Sequence, residues 1–385
     1  MPANRNSALR RTLPIALALA ALAQPLSGQT ARERVLREFD ARLAGHVATD
    51  GIGSVAAAVV IGTDVIHANA HGFSDRDRKL PADARTVYRI GSISKSVTAV
   101  LMMTLEQQRI IALDDPVVKH LPEFAQLGGG VPEARTITLR QLASHTAGLI
   151  REPQLPGAAA GPIAQWENRI IASIPATTLL GAPGAQYAYS NIGYGILGLA
   201  LSRAARAPFM DLVQKRIFEP AGMTSSTFIV KPPLDARLST GYQNDRNGAI
   251  DAETPAREHA GRGYKVPNGG IYSTVHDLAR FMALMSGALG DAVLTEQSRR
   301  TMMTKQTPGD RPAYGLGFTL TPVSGGRTLV GHSGSVAGYT AFLMFEPQSR
   351  IGVVLLLNYA SASLNASAEA SRVLTALLEA ENPGG

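Results

Sequence analysis

The chain has 385 residues, no cysteine, and 37 Lys plus Arg against 30 Asp plus Glu, a formal net charge of +7. With 45% hydrophobic and 17% charged residues it is neither fibrous nor a charge-dominated disordered chain. Thiol catalysis, disulfides and cysteine-ligated metals are excluded. The arginines are scattered rather than gathered in a stripe, which argues against a nucleic-acid platform.

Arg5, Arg10 and Arg11 precede the apolar run LPIALALAALA, which ends in Ala21-Leu22-Ala23. This charged, apolar, small-residue order predicts a secretory signal peptide over 1–23, with a cut as late as about residue 31. The run is too short for a comfortable membrane span. The expectation is therefore a periplasmic or secreted protein with no stable span after processing, held together by packing rather than cross-links.

Val35, Leu36, Phe39, Leu43 and Val47 recur at helical spacing, so 32–48 is an expected helix. Strands follow over 55–61 and 65–70, separated by the turn-forming Gly62-Thr63-Asp64. A third short strand, 87–90, leads into a buried helix that begins at Ser92. From 112 to 265, Gly- and Pro-rich connections separate shorter helical runs at 137–144, 166–173, 192–205 and 209–219, which predicts a mainly helical subdomain. A helix over 275–286, strands at 314–321, 327–332, 338–345 and 351–358, and a helix at 363–381 complete the chain. The fold expected is α+β: an antiparallel sheet flanked by helices, its core split between 32–111 and 266–381, with 112–265 inserted.

Three short motifs carry chemistry. In Ser92-Ile93-Ser94-Lys95 the helical spacing puts the lysine and the serine hydroxyl on one face, where an amine of lowered pKa can remove the hydroxyl proton. Its plain alternative is a serine N-cap beside a solvated lysine. Tyr189-Ser190-Asn191 follows a Gly/Pro-rich turn and precedes an apolar helix, which can aim a phenol and an amide into a cleft; alone it also fits a helix cap beside a packed aromatic. Tyr242-Gln243-Asn244 repeats Tyr-x-Asn in polar surroundings that suggest a surface turn. At the end of a strand, His332-Ser333-Gly334-Ser335 has a residue without a side chain, Gly334, which allows the chain to approach a ligand closely. The amide of Ser335 would then join that of Ser92 in an oxyanion hole. A Gly-x-Ser-x-Gly elbow is excluded because residue 335 is Ser. His67-Ala68-Asn69-Ala70-His71 lacks the Glu of a zinc-protease motif, and His145 fits a structural brace better than a reactive group. No metal or cofactor is expected.

In this order, Ser92-x-x-Lys95, Tyr189-x-Asn191 and His332-x-Gly334 resemble the signature elements of serine beta-lactamase-like enzymes, which include class C beta-lactamases, D,D-peptidases, D-aminopeptidases and related esterases. The resemblance spans roughly 35–380 and takes in LASHTAGL at 142–149, FEPAGM at 218–223 and NGGIYSTVHDLARF at 268–281. It implies Ser92 as acylated nucleophile, with Lys95 and Tyr189 as a pair sharing the acid/base work. It also implies that Asn191 holds the substrate amide and Lys95, and that His332, Ser333 and Gly334 line the substrate site. A lysine usually stands where His332 does, and a neutral imidazole attracts a substrate carboxylate less well. His-x-Gly resembles the D-aminopeptidase and esterase branches. The expected function is an exported serine hydrolase of small esters or amides such as D-amino-acid peptides; a D,D-peptidase or weak beta-lactamase is the alternative, and a non-catalytic acyl- or peptide-binding envelope protein the alternative of another class.

Overall fold

The computed structural model describes residues 30–309, 313–360 and 362–381; the signal peptide expected over 1–23 lies outside them. Helix α1 (Ala31–Asp50) starts on a reciprocal cap, in which Thr30 Oγ1 accepts from the Glu33 amide and the Glu33 carboxylate accepts from the Thr30 amide. Seven strands follow from the two ends of the chain: β1 (Ser54–Ile61), β2 (Asp64–Asp75), β3 (Leu80–Pro81), β4 (Thr319–Pro322), β5 (Thr328–Val336), β6 (Tyr339–Glu346) and β7 (Ile351–Leu357). They form one antiparallel sheet of order β3-β2-β1-β7-β6-β5-β4. The β1–β7 pairing, from Val55 opposite Leu357 to Ile61 opposite Ile351, joins the first and last thirds of the sequence.

Side-chain alternation along the strands builds two cores. Ala56, Ala58, Val60, Leu343, Phe345, Val354 and Leu356 face α2 (Ile93–Gln107), against whose far side α3 (Asn191–Ala205) packs, and α4 (Val275–Met285). Val55, Ala57, Val59, Met344, Val353 and Leu355 face α1 and α5 (Ala366–Glu381) on the other side. Every residue of α2 from Ile93 to Leu105 is buried, so this helix runs through the interior and its first turn is held on all sides. Between the two sheet-forming parts the chain is mainly helical and irregular, as the inserted helical subdomain requires.

Several local expectations change. Residues 87–90 contribute Tyr88–Arg89, which pairs with Tyr272–Ser273 instead of joining the main sheet and so fixes the approach to α2. The 314–321 strand shortens to β4 because the chain turns sharply first, with the Gly315 amide bonded to the Phe318 carbonyl. Strand β2 continues past Ala70 to Asp75. Strand β5 runs through Val336, with Ser333 opposite Phe342 and Ser335 opposite Thr340, so the His332 motif lies within the strand rather than at its end. Gln243–Asn244 does form a small hairpin with Ile250–Asp251, but Tyr242 is buried and its hydroxyl accepts from the Arg76 amide. Tertiary packing has overridden the polar sequence around it.

Candidate active site

Ser92 immediately precedes α2 in helical conformation (φ −65°, ψ −8°), and its hydroxyl makes no capping bond. Lys95 Nζ lies 3.0 Å from Ser92 Oγ, and the lysine is fully buried. Both parts of the plain alternative, a capping serine and a solvated lysine, are therefore absent. The second hydrogen bond of the amine goes to the Asn268 carbonyl at 3.1 Å, and the Asn268 side-chain amide donates to the Asn191 carbonyl at 2.7 Å. Burial, the Arg151 charge and the Lys265 charge hold the Lys95 ammonium well below the usual lysine range, against an opposing pull from Glu152. That environment favours the neutral amine, the form with a lone pair to accept a proton.

Tyr189 reaches the site from the segment before α3. Burial raises its phenol above the ordinary value, while a hydrogen bond to Ser92 and the nearby Arg151 pull the other way. Its ring lies 4.9 Å from Lys95 Nζ and 4.8 Å from the Arg151 guanidinium carbon. Ser190 is the actual cap of α3: its hydroxyl accepts from the Gly193 amide at 3.0 Å and donates to the Ile150 carbonyl at 2.7 Å. Capping and presentation are thus divided between neighbours, and Ser190 fixes the turn that presents Tyr189.

His145 is the brace behind that turn. Its Nδ1 accepts from the Ser190 amide at 3.0 Å, and its ring lies 4.2 Å from the Tyr189 ring. Burial above all, with electrostatic coupling to the neighbouring Lys95, His332 and Arg151, pushes its pKa well down, so it stays a neutral packing group. Asn191 adopts a different arrangement from the one expected. Its side-chain amide donates to Glu152 Oε1 at 2.5 Å, and it is Asn268, not the Asn191 side chain, that bonds Lys95.

The third motif meets the first through backbone. A Cβ added at Gly334 would lie 2.0 Å from the Ile90 carbonyl oxygen and 3.2 Å from the Ser92 amide nitrogen; one added at Gly91 (φ +50°) would lie 2.8 Å from the Ser335 amide nitrogen. Only glycine at both positions lets β5 press this closely on the entrance to α2. The amides of Ile93, Ser94 and Lys95 are taken by the carbonyls of Ile90, Gly91 and Ser92, leaving the Ser92 N–H without a protein acceptor among the described residues. The Ser92 and Ser335 amides therefore lie on adjoining chain segments at the entrance to α2.

His332 is 4% exposed. Its Nδ1–H donates to the Ser333 carbonyl at 2.6 Å and its Nε2 accepts from the Tyr314 hydroxyl at 3.0 Å. Burial and the Lys95 charge lower its pKa to about 3, so it carries no charge near neutrality. Ser333 and Ser335 are exposed on the strand and Gly334 is buried. Asn268, Tyr314 and Arg151 were not singled out by sequence reasoning. Of these only Asn268 carried a signal, as the first residue of the NGGIYSTVHDLARF block.

Among the described residues no trio of His, Asp or Glu is disposed to hold a metal ion; His67 and His71 both turn to Asp40, at 3.2 and 3.1 Å. No helix among them is long and apolar enough to cross a membrane.

A central helix presenting serine and a buried lysine, with a tyrosine alongside and a sheet strand across the entrance, is a serine-hydrolase-like catalytic fold. The chain belongs to the Beta-lactamase family, whose model matches residues 39–377, and so to the serine beta-lactamase and transpeptidase superfamily. It is 30% identical over 288 residues to the D-alanyl-D-alanine-carboxypeptidase/endopeptidase AmpH of Escherichia coli K12, covering 71% of each chain. The octameric penicillin-binding protein homologue of Pyrococcus abyssi superposes with a TM-score of 0.74 at 25% identity, over 89% of this chain and 77% of that one. A class C beta-lactamase shares the fold with a TM-score of 0.76 at 18% identity, over 91% and 98% of the two chains.

Proposed function

We propose that this protein is an exported serine hydrolase that forms an acyl-enzyme through Ser92 and acts on small esters or amides, D-amino-acid peptides among them. The observation that carries the reading is the fully buried Lys95 amine 3.0 Å from the Ser92 hydroxyl. A buried amine with two hydrogen bonds, one to a hydroxyl and one to a carbonyl, is an expensive arrangement for structure alone and a suitable one for a base.

In the cycle, Ser92 Oγ attacks the substrate carbonyl carbon as its proton passes to the Lys95–Tyr189 pair. The carbonyl oxygen becomes an oxyanion between the Ser92 and Ser335 amides, aided by the N-terminal end of α2. The tetrahedral intermediate collapses with cleavage of the bond to the leaving amine or alcohol, which takes up the proton held by the pair. Water then adds to the acyl-Ser92 ester, its proton again accepted by the pair, and the acid departs as Ser92 regains its hydrogen. Contact with the substrate amide is assigned to Asn191, whose side chain is joined to Glu152 at 2.5 Å.

The similarity to a protein named as a D-alanyl-D-alanine-carboxypeptidase/endopeptidase supports a peptidase as the second reading. Export rests on the charged and apolar order of the first 23 residues. The test is covalent labelling by a fluorophosphonate, together with turnover of p-nitrophenyl butyrate, D-alanyl amides, a D-Ala-D-Ala peptide and nitrocefin. Labelling and ester turnover are expected in the natural protein and lost in Ser92→Ala. Labelling that persists in Ser92→Ala defeats the nucleophile assignment, and strong nitrocefin turnover with little ester activity reverses the substrate preference. The N-terminal residue of the cell-free mature protein checks export and the cut.

A further inference from the structure

A second cluster of charge gathers around the short ladder of Tyr88–Arg89 and Tyr272–Ser273. Arg262 is 3% exposed. Its Nη1 donates to the Gly270 carbonyl at 3.1 Å and its Nη2 to the Tyr272 hydroxyl, while its Nε has no acceptor among the described residues. The guanidinium carbon stands 4.6 Å from the Tyr272 ring centroid. None of these partners is a carboxylate. Arg89 and Glu258, which act on Arg262 through space, are already joined to each other at 3.1 Å. Burial lowers the Arg262 pKa to about 10, so it keeps its charge at neutral pH; burial and the two arginines lower that of His259 to about 4 and leave it neutral. Together Arg89, Glu258, His259 and Arg262 therefore carry one positive charge in excess.

An arginine bonded to a carbonyl and a phenol can be a strut between chain segments. A strut needs no cavity, and here there is one of about 210 Å³, with Arg262, His259 and Tyr272 in its wall. Phe228, Val230 and Leu238 supply apolar wall, and the exposed Ile229 and Asp235 mark the side open to solvent. Ser92, Lys95, Tyr189 and His332 are not among the lining residues, so this place is apart from the reacting serine. Its volume lies below the range for drug-sized ligands, about 300–1,000 Å³, and well above one water's share of about 30 Å³. That suits a molecule of a few carbon atoms rather than a bare ion.

We propose that this cavity binds a short aliphatic monocarboxylate, its carboxylate at the Arg262 guanidinium and its chain against Phe228, Val230 and Leu238. A guanidinium taken out of water is ordinarily paired, and a carboxylate is the planar anion that matches its fork of donors. One negative charge is the limit, because the Asp235 carboxylate at the mouth repels a second. The ligand is not a substrate of Ser92, and the assignment is independent of the hydrolase reading.

The probe is sodium butyrate, titrated into the whole protein by calorimetry and followed through Tm, against sodium chloride at equal ionic strength and 1-butanol at equal concentration. Saturable binding and a raised Tm are expected with butyrate alone. Arg262→Met should weaken its affinity about tenfold. At low salt, Ile229→Glu should weaken it about fivefold and Asp235→Asn tighten it about threefold, since both alter the charge at the mouth. These two exposed positions keep the test open if Arg262→Met does not fold. Crystals grown with butyrate should show it at Arg262. Absence of saturable binding, an equal response to chloride or 1-butanol, affinities within about twofold of the natural protein in both Ile229→Glu and Asp235→Asn, or butyrate found only beside Ser92 each overturns the assignment.

Discussion

Gly334→Ala is the sharpest probe of the junction between β5 and the entrance to α2. The new methyl would lie 2.0 Å from the Ile90 carbonyl oxygen, whereas Cβ contacts under 3.0 Å are essentially never tolerated. Since Ile90 and Ser92 belong to the rigid turn leading into a fully buried helix, β5 is the part that yields, by roughly 1 Å. That retreat carries the Ser335 amide away from the Ser92 amide. Loss of one oxyanion donor, or a displacement of this size, lowers the rate by about 100-fold or more. The expectation is a fall of at least that size in kcat/KM for p-nitrophenyl butyrate, carried by kcat, and an equal slowing of fluorophosphonate labelling. Overpacking also costs roughly 1–3 kcal/mol of stability, visible as a lower Tm. A folded Gly334→Ala protein that keeps kcat within threefold of the natural one would show that the two amides do not act together, and the oxyanion-hole assignment would fail.

Tyr189→Phe removes the hydroxyl beside Ser92 but keeps the ring between Lys95 and Arg151, so activity should fall about 100-fold with Tm nearly unchanged; a loss under threefold takes the tyrosine out of the acid/base pair. The acid limb of kcat/KM should lie well below the usual lysine range because burial, Arg151 and Lys265 disfavour the Lys95 ammonium while Glu152 alone opposes them. Arg151→Met removes a positive neighbour, raises that pKa, and should move the limb to higher pH; a limb that stays in place refutes Lys95 as the titrating base. Away from the site, burial works to raise the Asp115 pKa, but hydrogen bonds from the Ala112 amide, Lys119 and His120 prevail and lower it to about 2. Its contribution is present above about pH 4 and lost as pH falls through about 2; with solvent screening of the exposed Lys119 partner, Asp115→Asn should cost about 1 kcal/mol at neutral pH and flatten that acid transition. Denaturant unfolding at pH 7 and pH 2.5 measures both.

What the sequence made legible at this site was whatever local spacing controls. Ser92 and Lys95 are three residues apart on one helix, so their meeting follows from helical geometry once the helix is recognised. Tyr189 and Gly334 could be proposed as partners through their motifs, but their closeness to Ser92 depends on the antiparallel sheet and the buried helix assembling around one another. The acceptor that orients Lys95 was beyond reach because it is a backbone carbonyl, at Asn268, 173 residues away. No side-chain identity records where a carbonyl points. Arg151 was hidden for another reason: it lies in an irregular exposed segment without periodicity, and only the placement of Tyr189 gives it a role.

The same distinction explains the strand that was cut short. A reading of β5 from apolar alternation stops at His332, because Ser333, Gly334 and Ser335 offer nothing apolar to count. Pairing with β6 continues regardless, since the ladder is made by backbone groups and Tyr339–Phe342 supplies the opposite strand. The residues least suited to a buried strand are thus held in one, with Gly334 inward against Ile90 and its serine neighbours outward. Sequence rules weakened at the point where backbone amides, rather than side chains, are what the proposed reaction needs. A polar, glycine-containing strand segment packed against the entrance of a buried helix can therefore mark a reaction centre better than the histidine that first draws attention to it.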